Sequence, residues 1–186
     1  MDEGQDEPDV VTVLREQHGE IRELLSAVRE ASDDERGSLF ETLVRLLAVH
    51  ETSEEEVVYP IVSLIGDDAR AEVDARKLEE SEAKKRLAGL EAMGPGADGF
   101  AEEFDRFADD VEHHASAEEA SIFPLLARYP DRQQLERMAI LVQAAQATAP
   151  THAHRLAPEG ALANLAVGPF VAVVDRVRDA IRDARQ

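Results

Sequence analysis

Phe100, Phe104, Phe107, Val111, His114, Glu118 and Ile122 follow one another at spacings of four, three, four, three, four and four. Side chains spaced this way share one face of an α-helix, and a face this apolar must be buried against other helices. No other feature of the chain restricts its fold as strongly. The face is interrupted, however: His114 and Glu118 stand where apolar residues are expected. A second stretch repeats the interruption. Leu39, Leu43 and Leu46 lead up to His50 and Glu54, and Val57 and Ile61 continue the line. Residues four apart lie about 40° apart around the helix axis and roughly 6 Å along it, so each His and Glu point the same way. A carboxylate buried without a partner is costly, and a metal cation is one partner that neutralises it.

The remaining helices follow from the same periodicity. Leu14, His18, Ile21, Leu25 and Val28 predict a helix from Asp9 to about Ala31, with His18 in an interior slot. The turn-like run Ala31-Ser32-Asp33-Asp34 leads to a second helix, from about Glu35 to Tyr59, which Pro60 disturbs or ends by removing a backbone donor. Gly66-Asp67-Asp68 breaks the chain and caps a third helix, roughly Ala69 to Ala92. Val73, Ala83, Leu87 and Leu90 lie on one side of it, and Glu80 falls on the same line. Met93 to Asp98 form a turn, and Pro124 with Tyr129-Pro130-Asp131 closes the fourth helix.

Four such helices with short connections predict an all-α fold, an antiparallel up-down-up-down four-helix bundle over residues 9–130. Residues 131–186 read as a C-terminal helical extension, with a helix from about Arg132 to Ala147 and a proline-bounded loop near Pro150. An amphipathic segment, Val167 to Ile181, follows, and Pro169 starts or kinks it. The extension either packs on the bundle or joins two copies as a homodimer. Residues 1–8 are polar and are expected to be disordered.

Composition narrows the chemistry. The 186 residues include no cysteine, which excludes disulfides, thiolate metal sites and cysteine nucleophiles, so a metal must be held by oxygen and imidazole. Aromatics are 4% and tryptophan is absent, which suits aliphatic helix packing. Forty acidic residues against twenty basic ones give a net charge of -20, which repels nucleic acid and anionic membrane surfaces. No apolar run approaches the ~20 residues that span a bilayer. The acidic start, Met1-Asp2-Glu3-Gly4, is unlike a secretory signal, and cytoplasmic residence is the expectation.

The candidate ligands are His18, His50, Glu54, Glu80, His114 and Glu118, all facing one interior. This follows the logic of bundle carboxylate sites for paired metals, with inward glutamates and His/Glu pairs one turn apart. With imidazole and carboxylate present together, iron leads, and manganese or zinc stand behind it. His113 shares its side with Arg106, Asp109, Asp110 and Ala117, and reads as solvated or as a neighbour of the ligands. His152 and His154 read as loop residues, and Glu51, Glu55, Glu56 and Glu119 as solvated helix faces.

The two motifs, His50-Glu51-Thr52-Ser53-Glu54 running to Tyr59-Pro60 and His114-Ala115-Ser116-Ala117-Glu118 running to Phe123-Pro124, resemble the hemerythrin-like HHE cation-binding domains of bacteria. With His18, the resemblance covers about residues 9 to 130. It implies a four-helix bundle around a non-haem di-iron centre bridged by carboxylates and oxygen. Roles implied by the family are oxygen binding, iron handling, and sensing or detoxifying oxygen and peroxide.

Three departures shape the expected chemistry. Many relatives carry a histidine on the third helix, where this chain reads Leu78-Glu79-Glu80-Ser81-Glu82-Ala83; Glu80 is the expected substitute, with Glu79 second. Ala117 stands where some relatives have a further histidine, and Tyr59 where others have His-Pro. A phenolate beside ferric iron is reasonable because the metal lowers the phenol pKa, yet on a straight helix Tyr59 lies about 140° from Glu54. A distortion near Pro60 is therefore required if Tyr59 is a ligand, and a tyrosine packed at the helix end is the alternative. A centre with more oxygen and fewer nitrogen ligands favours the ferric state, which points to peroxide- or oxygen-reactive chemistry rather than reversible oxygen carriage. The competing reading is a non-catalytic metal- or oxygen-sensing module that signals through its C-terminal segment; a third is a structural bundle with protonated interior carboxylates.

Overall fold

A computed structural model describes residues 8–148. The expectations for residues 1–7, for the loop with His152 and His154, and for the segment from Val167 to Ile181 lie outside the described residues. Helix α1 (Val10–Glu30) starts at Asp9, whose carboxylate accepts from the Thr12 amide at 2.8 Å and satisfies one of the free N-terminal donors. Helix α2 (Asp33–Ser53) follows after two residues, with Asp33, Asp34 and Glu35 in its first turn, where the helix dipole favours negative charge. After α2 the chain continues as a π-helical turn (Glu54–Val58) and a short helix α3 (Tyr59–Val62). Helices α4 (Asp67–Met93) and α5 (Phe100–Arg128) complete the bundle, and α6 (Arg132–Thr148) comes after it. Gly94 ends α4 at φ 84°, a left-handed conformation that suits glycine, and its amide bonds to the Leu90 carbonyl at 2.9 Å.

Pro124, expected with Tyr129-Pro130-Asp131 to close the fourth helix, is passed by the chain, and Pro60, expected to disturb or end the second, disturbs it. Pro124 lies inside α5 on an exposed face, next to an exposed Ala120 whose unbonded carbonyl can meet water. Pro60 is accommodated upstream of itself. Its ring would collide with the Glu56 carbonyl in a regular helix, and the π-helical turn widens the backbone there. The Tyr59 amide donates to the Glu54 carbonyl, five residues back instead of four. One residue is in effect inserted into the α-helix, which takes up about 100° of rotation.

The bundle holds two apolar clusters. One joins Val10, Leu14, Val57, Val62, Val73, Ile122 and Leu126, and α6 belongs to it through Leu135, Met138, Ala139 and Val142. The other joins Ile21, Leu25, Phe40, Leu43, Leu47, Leu90, Phe100, Phe104 and Phe107. Every bundle helix crosses from one cluster to the other and carries polar residues at the crossing. His18 lies between Leu14 and Ile21, His50 and Glu54 between Leu47 and Val57, Glu80 between Val73 and Ala83, and His114 and Glu118 between Val111 and Ile122. Short antiparallel connections set these crossings at one level. Among the described residues, no helix is long and apolar enough to cross a membrane.

Candidate metal centre

All six interior candidates from the sequence are buried, and Glu54 and Glu118 are fully inaccessible. Two groups of ligand atoms cluster within 4.8 Å of one another: one from His18, His50, Glu54 and Glu118, the other from Glu54, Glu80 and His114. Glu54 is common to both. One Glu118 oxygen also faces both sides, 3.4 Å from His18 Nε2 and 3.5 Å from His114 Nε2. Two glutamates thus stand between two sets of donors, as carboxylates shared by paired cations do.

The histidines are oriented from behind. His18 Nδ1 lies 2.9 Å from a Glu119 oxygen, His50 Nδ1 2.8 Å from the Gln17 amide oxygen, and His114 Nδ1 3.1 Å from Glu79 Oε2. Each of these partners accepts, so each Nδ1 carries the proton and each Nε2 is left with a bare lone pair turned inward. Metal-bound imidazoles are held in this way. The Nε2 atoms of His18 and His50 stand 3.1 Å apart. Two lone pairs at that distance repel unless a positive charge lies beside them. Burial, then the neighbouring His18, push the His50 imidazole down to about 3, so His50 itself does not supply that charge. Two nitrogens bound at ~2.1 Å to one metal at a right angle are roughly 3.0 Å apart, and the pair fits a cation.

The carboxylates give the same result. Both Glu54 oxygens, Glu118 Oε2, Glu80 Oε2 and His114 Nε2 are buried with no hydrogen-bond partner. Burial, and next the Glu118 charge, raise the Glu54 carboxyl well above its ordinary range, while burial raises Glu80 to about 8. Burial works against ionised Glu118 too, but the facing His18, His114 and His50 outweigh it and lower that carboxyl to about 2. Orphaned acceptors from three helices, converging with three bare imidazole nitrogens, are a cation site by their chemistry.

Tyr59 reaches this layer because of the π-helical turn, which brings it round to the Glu54 side of the helix. It is fully buried, and its hydroxyl lies 2.5 Å from Glu80 Oε1 and 2.6 Å from Glu118 Oε1. One phenol hydrogen serves only one of these oxygens. The phenol donates to Glu118 or to Glu80, one at a time. Burial, then the charges of Glu54, Glu118 and Glu80, raise the phenol pKa in the protein without a cation.

The residues behind the histidines are not marked as such by the sequence periodicity. Glu119, expected on a solvated face, is only one-quarter exposed and also pairs with Arg22 at 3.0 Å. Gln17 and Glu79 were not assigned these partners either. Their signal is adjacency: each immediately precedes or follows an interior residue, on the flank turned toward a neighbouring helix. His113 is exposed, 3.9 Å from Glu79. A small cavity lies against the three histidines, walled by Ile21, Leu47, Ala83 and Val111, with Glu51 and Glu80 also lining it.

The hemerythrin HHE cation binding domain model matches residues 9–126, which is the bundle and its polar layer. The chain belongs to the hemerythrin HHE family. A solved structure of a hemerythrin HHE cation binding domain-containing protein from Mycobacterium kansasii superposes with a TM-score of 0.66 at 25% identity, over 74% of this chain and 84% of that one. An uncharacterised hemerythrin-like protein of Schizosaccharomyces pombe is 24% identical over 164 residues, 87% of this chain and 81% of its own length. A DNA nickase of Nostoc is 29% identical over 150 residues, and the matched region spans 41% of that longer protein. The metal-binding character of this hemerythrin-like chain thus rests on the family and on the donor set alike.

Proposed function

We propose that the polar layer is a carboxylate-bridged di-iron centre that reacts with oxygen or peroxide, in handling oxidative or iron stress. The observation that carries this reading is the convergence of three Nδ1-anchored histidines on glutamate oxygens that have no other partner. His18 and His50 would hold one metal and His114 and Glu80 the other, with Glu54 and Glu118 shared and Tyr59 as a further oxygen ligand. Imidazole and carboxylate without thiolate suit iron ahead of manganese or zinc, and bound iron supplies a Lewis acid that exchanges electrons with oxygen species.

The protein's own residues set the conditions. Glu119, Gln17 and Glu79 fix the imidazoles, so nothing has to reorient when a ligand arrives. Ile21, Leu47, Ala83 and Val111 give the cavity walls that suit a small, weakly polar molecule and disfavour bulk water. Tyr59 sits where it can pass a proton between Glu80 and Glu118, or give it up and bind the metal directly. The charge of -20 works against nucleic acid as a partner.

A second reading is a sensing module that signals through its C-terminal segment. It is favoured by one contact: Gln17, which holds His50, also donates to Gln146 of α6 at 3.4 Å. A change at the metal has a direct route to that helix.

Iron-loaded protein tests both readings. An iron–phenolate bond absorbs visible light, so the loaded protein is expected to be coloured and to decompose added peroxide. Tyr59→Phe is expected to lose the band while keeping its iron. Two bound irons with no peroxide turnover supports the sensing reading, and a colour unchanged in Tyr59→Phe removes the phenolate.

A further inference from the structure

Lys84, on α4, places its ammonium among three carboxylates. Its Nζ is 2.7 Å from Glu55 Oε1, 3.2 Å from Glu51 Oε2 and 3.6 Å from Glu80 Oε2. These glutamates stand at different depths, their side chains 43%, 15% and 1% exposed in that order. They make a descending series from solvent to the polar layer. Its inner end is open, since Glu80 Oε2 is buried and accepts no hydrogen bond. Glu51 and Glu80 are also part of the wall of the cavity against His18, His50 and His114.

Carboxylates on a helix surface by themselves select no ligand. This series differs in leading to a buried oxygen of the metal layer that accepts no hydrogen bond, and in being spanned by one cation. Lys84 is half exposed, and its flexible stem lets the ammonium swing into water without disturbing the core. We propose that Glu55, Glu51 and Glu80 form the port through which divalent metal enters, with Lys84 as the latch that closes it. This rests on the metal-centre reading above. In the metal-free chain the ammonium offsets the negative charge of the series. An arriving dication is met first by Glu55, passes Glu51 and reaches Glu80 Oε2, while its charge repels the ammonium outward. A proton held on Glu51 or Glu80 leaves to solvent as the dication binds, and no bond to carbon or nitrogen changes.

The test is the rate of metal uptake by the chelator-stripped full chain, with cobalt(II) alone as the probe and its visible absorption followed by stopped flow. Lys84→Ala is expected to load several-fold faster than wild type, and Glu55→Gln several-fold slower, both reaching the wild-type cobalt content. Lys85 and Glu82 form a separate, solvent-facing pair at 2.6 Å. Lys85→Ala and Glu82→Gln make the same changes in net charge away from the port, and are expected to load at the wild-type rate. The proposal is overturned if Lys84→Ala and Glu55→Gln shift no further than these controls. Wild type that loads normally while the port variants do not differ from it removes the port and leaves the metal centre standing; wild type that takes up no cobalt overturns both.

Discussion

Glu54→Ala is expected to lose iron binding and peroxide turnover together, and to keep its fold. Glu54 is the one residue common to both groups of ligand atoms, so its loss weakens both positions at once, by more than the 10- to 100-fold typical of removing a residue that only supports a ligand. Stability is expected to move differently. Neither Glu54 oxygen has a hydrogen-bond partner, and burying such a group unsatisfied costs about 1–3 kcal/mol. Truncation relieves that penalty and offsets the small cavity it leaves, so the metal-free variant should unfold within about 1 kcal/mol of metal-free wild type, or above it. Leu47→Ala, about two turns away in the apolar cluster, has no such compensation and should cost about 2–5 kcal/mol. Circular dichroism melts with iron analysis check both. Wild-type turnover in Glu54→Ala contradicts the proposed chemistry.

Metal-free protein should become less stable as pH rises from about 6.5 to 8.5, the reverse of what its many carboxylates alone suggest. Glu80 titrates near 8 in the folded chain against 4.5 unfolded, so the folded state holds the extra proton between those values and its advantage fades as pH climbs through them. Glu51, raised by burial to about 7, adds in the same direction. His50 and Glu118 work the other way but at lower pH. Their folded values of about 3 and about 2 lie below the unfolded 6.5 and 4.5, so their contributions are complete above those values and are lost in acid. Above pH 6.5 the raised carboxyls decide the slope. At about 1.4 kcal/mol per unit, Glu80 alone accounts for about 2 kcal/mol between pH 6.5 and 8, or several degrees of Tm for a chain this size. Bound metal removes the effect, because it displaces the protons itself and binds more tightly as pH rises. Thermal melts of stripped and loaded protein across this range are the check, and a stripped chain whose Tm is flat or rising contradicts the pKa assignment.

The bundle and its polar layer were legible because both are written in periodicity. Phe100, Phe104 and Phe107 announce a buried face, and His114 and Glu118 break it in register, just as His50 and Glu54 break theirs. What periodicity cannot show is a change in the period itself. A regular helix puts Tyr59 about 140° from Glu54, and only the π-helical turn, set by the clash that Pro60 would make, brings the phenol onto Glu80 and Glu118. The same limit applies to the prolines: periodicity left open whether Pro60 disturbs or ends its helix and read Pro124 as part of a stop, and each is tolerated where the backbone widens or faces water. Glu119, Gln17 and Glu79 were hidden for another reason. Each faces a histidine on a different helix: Glu119 of α5 faces His18 of α1, Gln17 of α1 faces His50 of α2, and Glu79 of α4 faces His114 of α5. Such partners emerge only when helices are placed side by side.

Whether the polar layer holds paired metal ions is tested most directly by titrating the chelator-stripped chain with iron(II) in the absence of oxygen and measuring bound iron at equilibrium. Binding that saturates at two irons per chain is the expected outcome, from two groups of donors that share Glu54. Saturation at one iron, or no uptake into a correctly folded chain, would contradict it.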